Sequence, residues 1–322
     1  MITVLCANAG VDKTYEIPNF AAGGYYHPSS ASTAAGGKGI NVARVLNELH
    51  QAHVTVGFAG GSNGRFINSN LVDAGLNTDM VTIAEESRVT INIIDRAQGT
   101  QTRVDEVGPL VTPGEVRRLT DRWERKLERS SLGIISGSAP RGVNLELYAE
   151  VIEIARALRK PVILDARDAL LEHALDARPT VITPNLSELQ RVLRRELSVP
   201  DGIVAAGTDL IEKGIKVVLV TLGARGVIAV AGSQGVWWAR PPKTDRVSSV
   251  GSGDALTAGF AAASVDRRSF VDRLRLAVAC GAANAETVGA GRLSAERVGE
   301  LVSEVELDRL DGASNEEARD AE

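Results

Sequence analysis

The chain contains only two cysteines, Cys6 and Cys280, far apart and without Cys-x-x-Cys spacing. This excludes a disulfide framework and reads as two reduced, buried thiols. The four histidines, His27, His50, His53 and His173, fall at no metal-ligand spacing, which argues against a zinc centre. No apolar run exceeds the length of a strand, so neither a membrane span nor a secretion signal is expected, and the chain reads as cytoplasmic. A net charge of -5 offers no broad cationic surface for nucleic acid or membrane. Any phosphate must therefore be met by a few placed cations. Internal repeats are absent, and so is the Gly-x4-Gly-Lys-Ser/Thr loop of many nucleotide-binding proteins.

At 322 residues, 44% of them hydrophobic, the chain suits one large α/β domain with an appendage, or two ordinary domains. Short β-branched runs at 3–7, 54–59, 133–136, 162–165, 181–183 and 216–221 alternate with amphipathic stretches, the pattern of a mostly parallel sheet wrapped in helices. The helices are expected at 40–49, 113–128, 145–158, 202–213, 253–263 and 269–288. Residues 226–231 and 236–239 read as a hairpin at the C-terminal edge. One stretch breaks the pattern: in 88–95, Val89, Ile91 and Ile93 share one face, and Arg88, Thr90 and Asn92 share the other. Past a turn at 97–99, Arg103 and Asp105 again share a face. A half-polar hairpin inside an α/β chain predicts a small separate sheet over something wet. We place this lid at about 12–34 and 88–107 within a domain of 1–303. The acidic segment 304–322 lacks a buried stripe and reads as a flexible tail.

Two glycine-rich motifs carry chemistry. In Ala35-Gly36-Gly37-Lys38-Gly39-Ile40-Asn41, the glycines let backbone approach a ligand at the start of a helix, where free N–H groups and the dipole favour an anion. Such a sequence is also a common plain turn. In Val250-Gly251-Ser252-Gly253-Asp254, a second glycine turn opens a helix of small residues. An acid at that place complements a helix dipole, which accounts for Asp254 but leaves the flanking glycines unexplained. Alternatively, Asp254 is a general base beside a cradle of backbone donors formed by Gly251, Ser252 and Gly253.

These motifs, in this order, resemble the two signatures of the phosphofructokinase-B family of ribokinase-like carbohydrate kinases. Asn8-Ala9-Gly10-Val11-Asp12, Ser136-Gly137-Ser138-Ala139-Pro140, Thr183-Pro184-Asn185-Leu186-Ser187-Glu188 and Thr221-Leu222-Gly223-Ala224-Arg225-Gly226 resemble further segments of that family. The resemblance implies a three-layer α/β/α sandwich with a β lid, and ATP and Mg²⁺ as reactants. Asp254 would deprotonate the acceptor hydroxyl above the Gly251–Gly253 anion hole, and Asp12, Gly37 and Asn41 would hold the sugar, beside Ser136 and Gly137. Asn185 and Glu188 would act around Mg²⁺ and the ATP phosphates, Glu188 through water; the same pair also fits a helix capping box. Thr221, Gly223 and Gly226 would line the triphosphate, with Asn284 toward the adenine.

Arg88 and Arg103, on the polar lid faces, suit forked phosphate recognition, and with Lys38 they would counter a dianion. The expected acceptor is a ketose phosphate (fructose 1-phosphate, tagatose 6-phosphate or fructose 6-phosphate), as in the 1-phosphofructokinase and tagatose-6-phosphate kinase subgroup. Departures from the family pattern occur at His27, Thr90, Asp105 and Thr183, where Arg, Asn, Asn and Lys are usual. A kinase of an unphosphorylated sugar or nucleoside is the alternative, and a non-catalytic sensor a further one. The apolar lid face predicts a homodimer.

Overall fold

Strand β1 (Ile2–Cys6) is buried along its whole length, because Val4 faces one helical layer and Leu5 the other. In the computed structural model, which describes residues 1–310, it lies inside a ten-stranded sheet. After it come β2 (Gly10–Glu16), β3 (Ser30–Gly36), α1 (Lys38–Glu48), β4 (His53–Gly60), α2 (Gly61–Asp73) and β5 (Thr78–Ile83). Then follow β6 (Arg88–Asp95), β7 (Thr100–Asp105), α3 (Pro113–Glu128), β8 (Leu132–Ser136), α4 (Leu147–Ala157) and β9 (Val162–Asp165). The next elements are α5 (Asp168–Leu175), β10 (Val181–Ile182), α6 (Leu186–Leu193), α7 (Asp201–Glu212) and β11 (Val217–Thr221). A hairpin of β12 (Val227–Ala231) and β13 (Gly235–Arg240) precedes α8 (Ser252–Val265), α9 (Phe270–Ala285), α10 (Ala295–Val302) and β14 (Glu306–Arg309).

The large sheet runs β14-β13-β12-β11-β10-β9-β8-β1-β4-β5, parallel from β11 to β5 and antiparallel from β11 to β14. Helices α3 to α7 cover one face, around Trp123, Tyr148 and Leu164; α1, α8, α9 and α10 cover the other, around Val42, Phe260 and Leu301. This is the three-layer α/β/α sandwich. Both thiols are free and buried.

The second sheet, β3-β2-β6-β7, is the lid. Its polar side turns inward: Arg88, Thr90 and Asn92 are buried, whereas Val89, Ile91 and Ile93 are only half-buried. β2 and β6 run parallel with Gly10 opposite Arg88, which ties the lid's root to the sandwich.

Some elements escape the sequence pattern. The Gly- and Asn-rich α2 buries only Gly64, Ile67 and Leu71, too thin a stripe to predict. The expectation of a flexible tail from 304 is corrected over Glu306–Arg309, which pairs antiparallel with β13 as the edge strand. Leu307 packs on the core there, and Arg240 pairs with Asp308, so backbone pairing and one apolar contact suffice despite the charges. The rest of that tail, 311–322, lies outside the described residues.

Candidate active site

The C-terminal ends of the parallel strands and the inner lid face enclose a cleft of about 1130 Å³, at the edge where open α/β sheets carry ligands. At its floor stands Asp254, in the first turn of α8 and buried. Asn41 of α1 donates its side-chain N–H to Asp254 Oδ2 at 2.8 Å. Lys38 Nζ lies 4.0 Å from Asp254 Oδ1. Burial pushes the Asp254 carboxyl up to about 7; Lys38 works against that rise, Asp165 adds to it, and the Asn41 bond opposes it.

The turn ahead of α8 is built for close approach. Gly251 is left-handed at φ 83°, and a Cβ there would meet Ala290 at 2.7 Å. Gly253 faces open space. The N–H of Ser252 turns back to Ser249 O at 3.3 Å. The donors of this first turn otherwise point out of the helix end, where an anion is favoured. The helix can sit this deep because it is nearly all small residues: Gly259 lets α9 approach until a Cβ would touch Cys280 Sγ.

Asp165, at the end of β9, is buried between two donors. Lys38 Nζ approaches its Oδ1 at 2.6 Å, and Ser136 Oγ donates to its Oδ2 at 3.0 Å. Burial favours neutral Lys38, but Asp165 and then Asp254 hold its pKa above the ordinary lysine value.

Under the lid, three buried side-chain oxygens lining the cleft have no protein partner: Asn8 Oδ1, Asp12 Oδ1 and Asn92 Oδ1. Buried acceptors of this kind ask for hydroxyl donors. Above them, Asp105 Oδ1 accepts from Arg88 at 3.2 Å, from Arg103 at 2.9 Å and from Thr90 Oγ1 at 2.9 Å. Burial opposes the charge on Asp105, yet Arg103 and Thr90 hold its carboxyl below the usual range. Arg88 Nε also donates to Asn8 O.

On the other side of the cleft, Thr221 closes β11, and the Gly223–Arg225 turn and Gly226 follow it. Asn185 and Glu188 form a reciprocal capping box on α6, with both bonds at 2.9 Å. Glu188 keeps Oε1 out of that box, and its side chain lines the cleft.

The pfkB family carbohydrate kinase profile matches residues 8–297. The chain belongs to the pfkB family. Its fold is similar to that of phosphofructokinase-2 from Escherichia coli, at 27% identity and TM-score 0.88, covering 94% of this chain and 98% of that one. It is likewise similar to a possible 1-phosphofructokinase from Thermotoga maritima, at 27% identity and TM-score 0.88, over 96% and 99% of the two chains. A putative phosphofructokinase from Staphylococcus aureus matches at 28% identity and TM-score 0.82, over 96% and 99%. The chain is an ATP-dependent carbohydrate kinase.

In this pfkB kinase the cleft brings together Asp12, Gly37, Lys38, Asn41, Arg88, Arg103, Ser136, Gly137, Asn185, Glu188, Thr221, Gly223, Gly226 and Gly251 to Asp254. Two of them are already paired with protein. The Ser136 hydroxyl is bound to Asp165, so Ser138, which accepts from Asn8 Nδ2 at 3.0 Å, is the more available hydroxyl. Lys38 lines the cleft and is paired with Asp165 there, away from the two lid arginines with which a shared phosphate contact is expected.

Asn284 is corrected outright. Its side chain is fully buried, donating to Val250 O at 2.9 Å and accepting from Gly291 N at 2.8 Å. It braces the turn that leads into Gly251 and does not face an adenine. Sequence reasoning missed Asp165, although an acid closing a predicted parallel strand is a signal that points to the crevice. Among the described residues, no cluster of three or more His, Cys, Asp or Glu is placed to hold a metal, and no helix is long and apolar enough to cross a membrane.

Proposed function

We propose that the protein phosphorylates a hydroxyl of a ketose phosphate with ATP, giving a bisphosphate. The observation that carries this reading is the convergence of Arg88 and Arg103 on the cleft side of the lid, beside unpartnered acceptors suited to sugar hydroxyls. Arg88, Arg103 and Arg44 face Asp105 and Asp12 across this part of the cleft, so three guanidinium groups against two carboxylates leave a positive excess for the substrate's own phosphate.

In this reading Asn8, Asp12 and Asn92 accept from sugar hydroxyls, and Asp254 Oδ1 takes the proton of the attacking one. The deprotonated hydroxyl oxygen of the sugar bonds to the γ-phosphorus as the bond from phosphorus to the β–γ bridging oxygen breaks, and ADP leaves. The N–H groups at the start of α8 hold the transferring charge. Thr221, Gly223 and Gly226 line the triphosphate. Glu188 suits Mg²⁺ held through water, since this ion keeps several waters and takes substrate phosphate oxygens; bound there, it would neutralise phosphate charge.

The solved relatives support the substrate class. Phosphofructokinase-2 from Escherichia coli has been determined with fructose 6-phosphate at 26% identity to this chain, and the Thermotoga relative is named a possible 1-phosphofructokinase. A second reading has its own observation: Asp105 already pairs with both arginines, which favours an acceptor without a phosphate. ADP release measured across ketose phosphates and free sugars decides between them. Turnover restricted to phosphoketoses is expected; turnover of free sugars alone rejects the first reading.

A further inference from the structure

Lys38 stands in the signature where a substrate-phosphate contact was expected, yet its ammonium points to protein. Nζ lies 2.6 Å from Asp165 Oδ1 and 4.0 Å from Asp254 Oδ1. Asp165 is itself immobilised by the Ser136 hydroxyl on its other oxygen. Asn41 occupies Asp254 Oδ2, so Oδ1 is the oxygen left to receive a proton. A lysine in direct contact with Oδ1 would cap that lone pair; one far away would leave the carboxyl to the full effect of burial. The observed separation does neither.

We propose that the chain Ser136–Asp165–Lys38 is a positioning device that holds a positive charge beside, but not on, the proton-accepting oxygen of Asp254. The inference rests on the general-base reading of Asp254 and deepens it. Lys38 and Asp165 are positioning residues here, and Lys38 is not a phosphate ligand.

The groups around Asp254 fit this arrangement. From α1 come Lys38 and Asn41, both favouring the carboxylate; from β9 comes Asp165, which opposes it; from the lid, Arg103 favours it more weakly. Asp12 and Arg88 face the same cleft from β2 and β6, Cys6 from β1 and Glu188 from α6. Among the neighbouring groups, Lys38 opposes the effect of burial most strongly. Asp165 therefore acts twice in one direction: its own charge raises the Asp254 pKa, and its grip keeps Lys38 from closing on Oδ1, which would lower it.

The two substitutions should consequently act in opposite directions, which neither a purely structural role nor a phosphate contact would produce. The readout is the acid limb of kcat/KM for the full chain, with ATP and the best ketose phosphate from the substrate panel. Substrate phosphates titrate identically in every variant, so differences between variants report on the protein. Lys38→Met should move the limb up by about one pH unit or more, and Lys38→Arg should hold it at the wild-type position. Asp165→Asn should move it down and lower kcat at least tenfold, as Lys38 closes on Oδ1. Lys38→Gln repeats the charge removal should the Met variant fold poorly. Limbs that stay put, or that move in the same direction, overturn the inference. A raised KM for ATP or sugar phosphate with an unmoved limb makes Lys38 a phosphate ligand instead. Near-normal turnover of Asp254→Asn sinks the general-base reading itself; its loss, combined with unmoved limbs in the other variants, sinks only this inference.

Discussion

Asn41 donates to Asp254 Oδ2 at 2.8 Å, and this one bond joins two glycine motifs 213 residues apart. It occupies Oδ2 and leaves Oδ1 as the oxygen that the proposed general-base role would use. Removing that oxygen's basicity should abolish the step that needs it. Asp254→Asn is expected to cut kcat by about 10²–10⁴-fold, the usual range for general-base help, with the KM for ATP little changed. Steady-state ADP release checks it, and near-normal turnover rejects the role.

The pH dependence follows from the same group. The Asp254 carboxyl is raised to about 7, so below that pH it holds a proton and cannot accept another. The kcat/KM of the wild type should fall on the acid side through about pH 7 and flatten above it. A profile flat down to pH 5 would contradict the assignment.

Arg88, Arg103 and Asp105 give a pair of opposed expectations. Arg88→Ala should raise the KM for a ketose phosphate about 10–100-fold, the cost of one charged hydrogen bond. Asp105→Asn removes the anion that shares both guanidinium groups, and should lower that KM while leaving the KM for free sugars unchanged. Initial rates on both substrate types test the pair.

Gly251 is left-handed and has Ala290 at its back. Gly251→Ala should lower stability by about 1–3 kcal/mol, since it combines backbone strain with overpacking, and should remove turnover because the α8 donors shift. Thermal melting and the ADP assay read the two effects separately.

The outer lid face carries Val89, Ile91 and Ile93 half-buried, near exposed Val104. A second copy laid on this face would cover it, so the chain should scatter light as a dimer and Ile91→Asp as a monomer. A monomeric wild type refutes this.

Much of this was legible because periodicity and glycine punctuation are local. The alternation of 88–95 marks the lid and its polar face in the sequence itself, and Gly251-Ser252-Gly253-Asp254 marks a helix that no amphipathic stripe would reveal. What stayed hidden depends on distant partners. Asp165 looks like any strand end until Lys38, 127 residues away, reaches it. Asn284 reads as a polar residue available to a ligand until Val250 and Gly291 take its amide. Strand β14 has no β signature of its own and forms because β13 offers an open edge.

The inward lid face has a wider consequence. The residues proposed for proton removal and charge stabilisation lie in α8, whereas the arginines and Asp105 sit on two adjacent strands contributed by one short span of chain. Recognition of an acceptor's phosphate is thereby modular: redesign confined to 88–105 should change whether a phosphorylated sugar is taken, while Asn8 and Asp12 remain to meet its hydroxyls.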